Sequence, residues 1–570
     1  MRAFLVLITA AGAAFSCTTI IVTPGATEDG SMYVTHSDDN ELEDERIIFV
    51  PAMDHAFDSQ RNVYCAGNAL GAFPEYNCWS YPRIVCSERG PGYDTPGYPV
   101  SIPLGTIPQA SHTFSYFDGV YGVMNQHQLM IGECTCDAKI QLPPEPGRRI
   151  FYSAELSRVA LERCSTAVDA VHLIGDLIEE YGYWGTGETL LLGDPEEAWV
   201  MEMCCGTMDS TGGLWVARRV PDGEVFVAAN EFRIRDIVPG DPGMLYSENL
   251  FETCKVRGWW NPEDGDLDWL SAVSNGEYRH PYYSLRRVWR VLSRVAPSMG
   301  LSPWVEDGFT RDYPFSVPPD VPLGTRDVMG LHRDHYEGTE FDMTVGTAAG
   351  PFGYPYRYYG SYDASGIAGQ QPSPEGAWER PISVDYSGYI HVNQGRSWLP
   401  DEIGGISWFG AHRPAETCFV PFYCGMTDLP WSYQTCNTGV YQEESAWWAF
   451  NMVAEWSAVK YSYTSKDIEA MQEEIEQREL VGVANLEALT RDMPREERVE
   501  ALTSWSLANA DSVVSAWKAF FPVLVARYDE GFFSAPGHTG QGLGYPRPWL
   551  LTTEWVSGPT SYSPQEETSR

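Results

Sequence analysis

Cys17 is the first side chain in the sequence whose position favours catalytic chemistry. It follows the apolar stretch AFLVLITAAGAAF and Ser16, and the small residues Ala14 and Ser16 are typical of a signal-peptide cleavage site. Cleavage after Ser16 would give Cys17 a free α-amino group beside its own thiol. Such an amine has an ordinary pKa of about 7.7 to 8.0, so near neutral pH part of it can accept the thiol proton. Nucleophile and general base would then belong to one residue.

Two other interpretations of Cys17 are open at this point. A lipoprotein would carry its lipid on this cysteine, although Ala14 and Phe15 fit a lipidation box poorly. Alternatively, Cys17 is the first disulfide cysteine of a non-catalytic, disulfide-rich secreted binding protein. The composition alone does not distinguish a nucleophile from a structural cysteine.

The composition excludes several classes of partner. The chain has 570 residues, of which 43% are hydrophobic, enough for a large buried core. Its 78 Asp and Glu against 38 Lys and Arg give a formal net charge of -40, which repels nucleic acid and anionic lipid. No stretch after the leader approaches the roughly 20 apolar residues of a transmembrane helix. We therefore expect no nucleic-acid or membrane partner, scattered acidic residues on a solvated surface, and a secreted or lysosome-like location.

Export of the chain would favour disulfide bonds. Apart from Cys17, an even number of cysteines remains, which can pair completely. The predicted set is Cys65, Cys78, Cys86, Cys134, Cys136, Cys164, Cys204, Cys205, Cys254, Cys418, Cys424 and Cys436. The C-T-C of Cys134 and Cys136 and the adjacent Cys204 and Cys205 lack the spacing of a structural zinc site. His332 and His335 lack the spacing of a zinc-binding helix. We therefore expect disulfide bonds rather than a metal ion.

The elements that must position Cys17 can be predicted from hydrophobic periodicity. CTTIIVT and SMYVT predict a hairpin that begins at Cys17, and two amphipathic helices are predicted at 166–180 and 283–295. Further strands are predicted at 120–124, 129–132, 189–193, 198–203, 214–220 and 224–230. Because helices interrupt pairs of strands rather than follow each one, an α+β fold is favoured over a doubly wound sheet.

The residue composition and the helical periodicity of the rest of the chain predict its domain organisation. The Pro-, Gly- and aromatic-rich part at 300–440 predicts ordered loops and short strands, and helical spacing dominates 443–530. We expect a signal peptide at 1–16, one domain at 17–545 that is mainly helical over 443–530, and a tail at 546–570.

Several separated segments, taken in order, resemble the dipeptidase A and secernin-like family of N-terminal-nucleophile cysteine hydrolases. These segments are CTTIIVTPGATEDGSMYVTHSDD at 17–39, YGVMNQHQLMIGECTC at 121–136, LLGDPEEAWVMEMCCG at 191–206, VPDGEVFVAANEFRI at 220–234, and further stretches at 336–357, 399–426 and 444–463. The resemblance implies a four-layer αββα sandwich with an added C-terminal helical region. It also implies that Cys17, at the start of a central strand, attacks the bond of a dipeptide or small peptide without a cofactor.

The resemblance assigns roles to five residues. Cys17 matches the nucleophile, and Asp39 matches a residue that orients the amine or the thiol, although an Asp in S-D-D-N is also typical of a turn. His36 stands where related enzymes more usually have Arg or Lys. Asn230 matches a donor to the oxyanion or a ligand of the amine, with a strand-end cap as the alternative. Thr135 is a further candidate donor, or an ordinary strand residue.

Other functions remain open. An acylase that cleaves N-acyl amides would use the same fold and nucleophile but an apolar pocket. In the second predicted helix, Arg286, Arg287, Arg290 and Arg294 are expected on the solvated face or in ion pairs, with binding of a substrate carboxylate as the alternative.

Overall fold

Two large antiparallel β-sheets organise the part of the chain that the structure describes. The computed structural model describes residues 17–40, 43–65, 76, 81–206, 212–277, 280–358 and 377–553, apart from the side chains of residues 538 and 539. The predicted signal peptide at 1–16 and Cys78 lie outside these residues.

The strands are, in chain order, β1 (Thr19–Val22), β2 (Met32–Asp38), β3 (Ile48–Val50), β4 (Met53–Asp54), β5 (Gln60–Tyr64), β6 (Pro103–Pro108), β7 (His112–Thr113), β8 (Tyr116–Asp118), β9 (Gly122–Asn125), β10 (Met130–Cys136), β11 (Gly187–Gly193), β12 (Ala198–Cys204), β13 (Leu214–Arg219), β14 (Val225–Ala228), β15 (Asp236–Ile237), β16 (Met244–Tyr246), β17 (Leu267–Asp268), β18 (Ser316–Val317), β19 (Tyr389–Gly395), β20 (Ile406–Ala411), β21 (Val420–Tyr423), β22 (Phe532–Ala535) and β23 (His538–Gly542). The helices are α1 (Ser153–Arg163), α2 (Ala167–Tyr181), α3 (Leu250–Val256), α4 (Trp269–Val273), α5 (Leu285–Val295), α6 (Thr325–His332), α7 (Asp401–Gly404), α8 (Ala446–Ser457), α9 (Tyr461–Thr490), α10 (Arg495–Arg527) and α11 (Arg547–Thr552).

The first sheet has seven strands in the order β18-β14-β1-β2-β19-β20-β21, so the strand that follows Cys17 is an interior strand. The predicted hairpin is confirmed, with Ile21 opposite Val34 in an antiparallel pair. Strand β2 runs to Asp38, three residues beyond the predicted end, which makes His36 a strand residue and puts Asp39 directly after the strand. Every residue of β1 and β2 is buried, as expected for strands covered on both faces.

The second sheet has eight strands in the order β16-β13-β12-β11-β10-β9-β8-β3. Strands β10 and β11 are longer than their apolar runs predict, and they pair in a register that sets Thr135 opposite Glu188. The two sheets face each other through β1 and β2 on one side and β10 and β11 on the other. The approach is close at Gly132, where an added Cβ would come within 2.4 Å of Thr19 Oγ1 and 2.5 Å of the Thr35 carbonyl oxygen.

Helices pack on strands of both sheets, which gives a mixed α and β fold built on antiparallel sheets. Helices α1 and α2 contact β9, β11 and β12, whereas α5 contacts β14, and α8 and α10 contact β20 and β21. Helix α2 begins where predicted because Thr166 caps it, its hydroxyl accepting a bond of 3.3 Å from the Asp169 N–H. Helices α8 to α10 lie between residues 446 and 527, within the range predicted to be mainly helical, and α11 lies in the predicted tail.

The predicted disulfide framework is wrong for most of its members. Among the described residues the following cysteines are free thiols, and all are buried: Cys17, Cys86, Cys134, Cys136, Cys164, Cys204, Cys205, Cys254, Cys418, Cys424 and Cys436. The thiol of Cys136, for example, contacts the Cys134 carbonyl oxygen at 3.4 Å and the Thr189 hydroxyl at 3.3 Å rather than a second sulfur. The reason is that these residues pack as small apolar side chains of the core, which an even count of cysteines does not reveal.

No helix within the described ranges combines the length and the apolar character that crossing a bilayer requires.

Candidate active site

Cys17 lies two residues before β1 and its main chain is held from three sides. The Thr18 N–H donates to Ser37 Oγ at 3.1 Å, which ties the segment to β2. The Cys17 carbonyl oxygen accepts hydrogen bonds from Arg287 Nη1 at 2.9 Å and from the Cys134 thiol at 3.5 Å. Cys17 has no exposed surface, so its position is fixed by contacts of the core rather than of a surface loop.

The thiol of Cys17 belongs to a compact group with His36 and Glu133. The sulfur, one imidazole nitrogen and one carboxylate oxygen all lie within 4.8 Å of one another, and all three residues are buried. His36 Nε2 is 3.3 Å from Glu133 Oε2, although neither atom meets the geometry of a hydrogen bond. Burial lowers the pKa of His36, so the imidazole is neutral near neutral pH and this contact is not an ion pair there.

Glu133 is one half of a pair of buried carboxyl groups. Its carboxyl group lies beside Glu188 and the Cys17 thiol, and it accepts a bond of 3.0 Å from the Thr135 hydroxyl. Glu188 accepts a hydrogen bond from the Tyr152 hydroxyl. Burial raises the pKa of Glu133 to about 8 and that of Glu188 well above its usual range. The pair is therefore largely protonated near neutral pH, and Glu133 is unsuited to act as a general base there.

The thiol itself resists ionisation in this environment. Burial raises the pKa of Cys17 well above its usual range, and the neighbouring carboxyl groups of Glu133, Asp38 and Asp39, followed by the thiol of Cys134, raise it further. A nucleophilic thiolate at this position therefore needs a base and a nearby positive charge.

Asp39 reaches the Cys17 segment through one intervening side chain. Its carboxylate accepts a bond of 3.1 Å from the Ser37 hydroxyl, which also bonds to the main chain of Thr18. It forms a buried ion pair of 2.5 Å with Arg380 and accepts a further hydrogen bond from the Ser387 hydroxyl. Two of these contacts join parts of the chain that are far apart in sequence, which a residue serving a local turn alone would not need.

The arginines of α5 were expected on the solvated face or in ion pairs, and Arg287 does neither. It is completely buried, and no carboxylate pairs with it in the described part of the chain. The three nitrogens of its guanidinium donate hydrogen bonds to five oxygen atoms. These are Tyr283 O at 2.9 Å, Cys17 O at 2.9 Å, Thr18 Oγ1 at 3.0 Å, Ala229 O at 3.1 Å and Asn230 Oδ1 at 2.8 Å. Burial lowers its pKa, but a guanidinium stays charged, so the positive charge lies beside the nucleophile.

The other arginines of α5 follow the expectation of ion pairing more closely. Arg290 and Arg294 both pair with Asp334, at 2.7 and 3.2 Å. Arg286 is buried rather than solvated, and its guanidinium lies 3.7 Å from the centre of the Phe341 ring. The helix was predicted correctly, and of its arginines Arg286 is buried, Arg290 is partly buried and Arg294 is exposed.

Asn230 and Thr135 belong to the same network as Cys17. Asn230, two residues after β14, has a left-handed backbone with φ 61°, and its N–H points at Cys134 Sγ at 2.6 Å. Its side chain donates to the Thr135 carbonyl oxygen at 2.8 Å and accepts from Arg287. The Thr135 hydroxyl donates to Glu133. The structure therefore brings both residues to the site, while their role as donors to an oxyanion stays a prediction.

Sequence reasoning missed Glu133, Glu188 and Arg287. Glu133 and Glu188 interrupt the apolar runs LMIGECTC and GETLLLG, and a carboxylate inside such a run is a signal of a buried, functional acid. Nothing in the sequence showed that the two runs pair with these carboxyl groups in contact. Arg287 carries no comparable signal, because an arginine in an amphipathic helix is usually solvated.

Comparison with known proteins adds independent information. The sequence model of Peptidase family C69 matches residues 119–474, a range that includes Glu133, Asn230 and Arg287 and begins after Cys17. A probable dipeptidase of Salmonella dublin is 25% identical over 431 residues, which cover 74% of this chain and 84% of that protein. Dipeptidase A of Lactobacillus helveticus is 22% identical over 297 residues, or 52% of this chain and 55% of that protein. A dipeptidase of Bifidobacterium longum is 23% identical over 360 residues, or 59% of each chain.

Proposed function

Because the chain belongs to peptidase family C69, we propose that it is a cysteine-type dipeptidase whose nucleophile is the thiol of Cys17. The relatives named as dipeptidases support a dipeptide or small peptide as the substrate. The observation that carries the proposal is the position of Cys17. It precedes an interior strand, its thiol lies within 4.8 Å of polar atoms of Glu133 and His36, and its carbonyl oxygen accepts a hydrogen bond from a buried guanidinium.

The proposed mechanism requires removal of residues 1–16 on an exported chain, which leaves the α-amine of Cys17 free. The packing of α1 and α2 on the eight-stranded sheet, and of α5, α8 and α10 on the seven-stranded sheet, supports a four-layer αββα sandwich of the N-terminal-nucleophile type. In that fold class the amino group of the first residue acts as the base for its own side chain. We include the secretory route and the signal peptide in this proposal.

The reaction proceeds through an acyl-enzyme. The amine accepts the thiol proton, and the thiolate attacks the carbonyl carbon of the peptide bond, forming a bond to sulfur. The carbon–nitrogen bond breaks as the ammonium of Cys17 returns the proton to the leaving amino acid. Water then attacks the thioester, its hydroxyl joins the acyl group and its proton returns to sulfur. The charge of Arg287 beside Cys17 and Asn230 favours the negative charge that develops on sulfur and oxygen.

Two variants test the role of Cys17. Cys17→Ala should abolish dipeptide hydrolysis, and one extra residue ahead of Cys17 in the mature chain should be nearly as damaging, because an amide replaces the basic amine. Cys424→Ala, which removes another buried thiol, serves as the matched control and should retain activity. N-terminal sequencing of the active protein should give Cys17 as the first residue. Turnover by the alanine variant, or an active protein that retains its leader, would contradict the mechanism.

The polar surroundings of Cys17 favour a dipeptide over an N-acyl amide. His36 and Glu133, which lie beside the thiol, supply hydrogen-bond acceptors for the ammonium of a dipeptide, whereas an acylase needs an apolar pocket. A panel of dipeptides and N-acyl amides, assayed with one preparation, separates the two activities. Hydrolysis restricted to acyl amides would reject the dipeptidase. The non-catalytic alternative loses its premise, because Cys17 is a free thiol rather than a disulfide cysteine.

A further inference from the structure

We propose that Cys17, His36 and Glu133 form a binding site for a thiophilic divalent cation such as Zn²⁺, and that the bound cation blocks the nucleophile. The binding itself depends only on the three side chains. The blocking effect rests on the proposed function, because it assumes that the thiol of Cys17 performs the attack.

The geometry of the three donor atoms fits such an ion. Tetrahedral zinc bonded to sulfur, nitrogen and oxygen holds its ligand atoms about 3.3 to 3.6 Å apart. Here the three atoms lie within 4.8 Å of one another, and the nitrogen and oxygen are already 3.3 Å apart. Small rotations of side chains would bring all three to bonding distance. Within the described residues this is the single group of three such side chains with this spacing.

The lack of hydrogen bonds at two of the three donor atoms also favours a bound cation. His36 Nε2 and Glu133 Oε2 are buried, and among the described residues neither atom makes a hydrogen bond. Leaving such groups unpaired in the core is costly, and a cation would satisfy both at once. The set of one sulfur, one imidazole nitrogen and one carboxylate oxygen suits zinc or cadmium, whereas magnesium and calcium prefer oxygen ligands alone.

The mature N-terminus would add a fourth ligand. After cleavage the α-amine and the thiol of Cys17 can chelate one ion through a five-membered ring, which completes a tetrahedral set. Binding releases to solvent the protons held by the thiol, the ammonium and the carboxyl group of Glu133, and it engages the sulfur lone pair that would otherwise attack the substrate. A path wide enough for a dipeptide to reach Cys17 is also wide enough for the ion. The enzyme would therefore be active when free of metal and inhibited when the site is filled.

Cobalt(II) is the probe, because its bond to a thiolate gives a charge-transfer absorption band. Titration of the metal-free mature protein with cobalt should produce this band, and zinc should remove it by displacement. Cys17→Ser should abolish the band. His36→Asn and Glu133→Gln should each weaken cobalt binding by about 10-fold or more, a typical loss when the shell of a metal site is altered. The control is His391→Asn, since the ring of His391 lies 5.4 Å from that of His36 but outside the group of three.

Several results would overturn the inference. They are absence of the sulfur band, unchanged cobalt affinity in Glu133→Gln, or an equal loss of affinity in His391→Asn. Glu133→Gln preserves the shape of the side chain and its bond from Thr135, so it remains informative if His36→Asn does not fold. A chelator should leave or increase dipeptide hydrolysis, and loss of activity with a chelator would show that the metal is not inhibitory. Failure of the proposed function is a separate result, namely turnover by metal-free Cys17→Ala.

Discussion

Replacing Arg287 by lysine is the most direct test of how the site is positioned. Lysine keeps the positive charge but replaces a planar fork of five donors by one ammonium with three. Arg287 donates to five oxygen atoms, including the carbonyl oxygen of Cys17 and the side chain of Asn230. At least two of these acceptors must lose their partner, and the main chain of Cys17 is then free to shift.

The size of the effect follows from positioning. A displacement of about 1 Å of a reacting group costs on the order of 100-fold in rate, which corresponds to about 2.7 kcal/mol in the barrier. We therefore expect kcat for dipeptide hydrolysis to fall about 100-fold in Arg287→Lys, with a much smaller change in KM. Steady-state kinetics with one dipeptide measures both, and circular dichroism with thermal unfolding verifies that the variant is folded.

Arg290→Lys is the matched control on the same helix. Arg290 pairs with Asp334 at 2.7 Å and makes no contact with Cys17 or Asn230 among its described hydrogen bonds, so its variant should keep kcat within about 2-fold. If Arg287→Lys retains kcat within about 3-fold, Arg287 does not position the nucleophile. An equal loss in both variants would instead indicate a general effect on helix α5.

Other predictions concern the stability of the buried acids and of the sheet interface. Burial raises the pKa of Glu202 to about 8 from its ordinary 4.5, so the folded chain keeps a proton that the unfolded chain loses. The free energy of unfolding should therefore fall as pH rises between these values, and urea unfolding of Glu202→Gln across pH should show a slope smaller by up to about 1.4 kcal/mol per pH unit. An unchanged slope would mean that Glu202 titrates normally. Gly132→Ala should lower the free energy of unfolding by about 1 to 3 kcal/mol, because its Cβ would come within 2.4 Å of Thr19 Oγ1, whereas Gly531→Ala, with open space around it, should have little effect in thermal unfolding.

The local elements of this fold are readable from the sequence, because periodicity and capping are local properties. The hairpin of β1 and β2 and helices α2 and α5 lie within three residues of their predicted bounds. The lengths of β10 and β11 were underestimated because Glu133 and Glu188 end the apolar pattern while the strands continue. The order of strands depends on contacts between distant segments, which a single sequence does not contain.

The candidate site was partly predictable for the same reason. Cys17 is marked by its local context, after an apolar stretch and ahead of a β-branched run. Arg287 depends on tertiary context, since its contacts with Cys17 and Ala229 join segments 270 and 58 residues apart. The expectation that the acidic residues lie on a solvated surface is wrong for several of them. Asp38, Glu133 and Glu188 are fully buried rather than solvated, and burial raises the pKa of all three, which favours their uncharged forms.

The raised pKa of Cys17 explains why the base should lie on the same residue. Each unit by which burial raises the pKa of the thiol above that of the amine costs about 1.4 kcal/mol when the proton moves between them. The thiolate and ammonium formed by that transfer attract each other by about 4 kcal/mol at a separation of 4 Å and an effective dielectric constant of 20. This attraction offsets about three units, and the guanidinium of Arg287 adds to it. A residue placed ahead of Cys17 would remove the base and the counter-charge together, which is why such an extension should cost almost as much activity as the loss of the thiol.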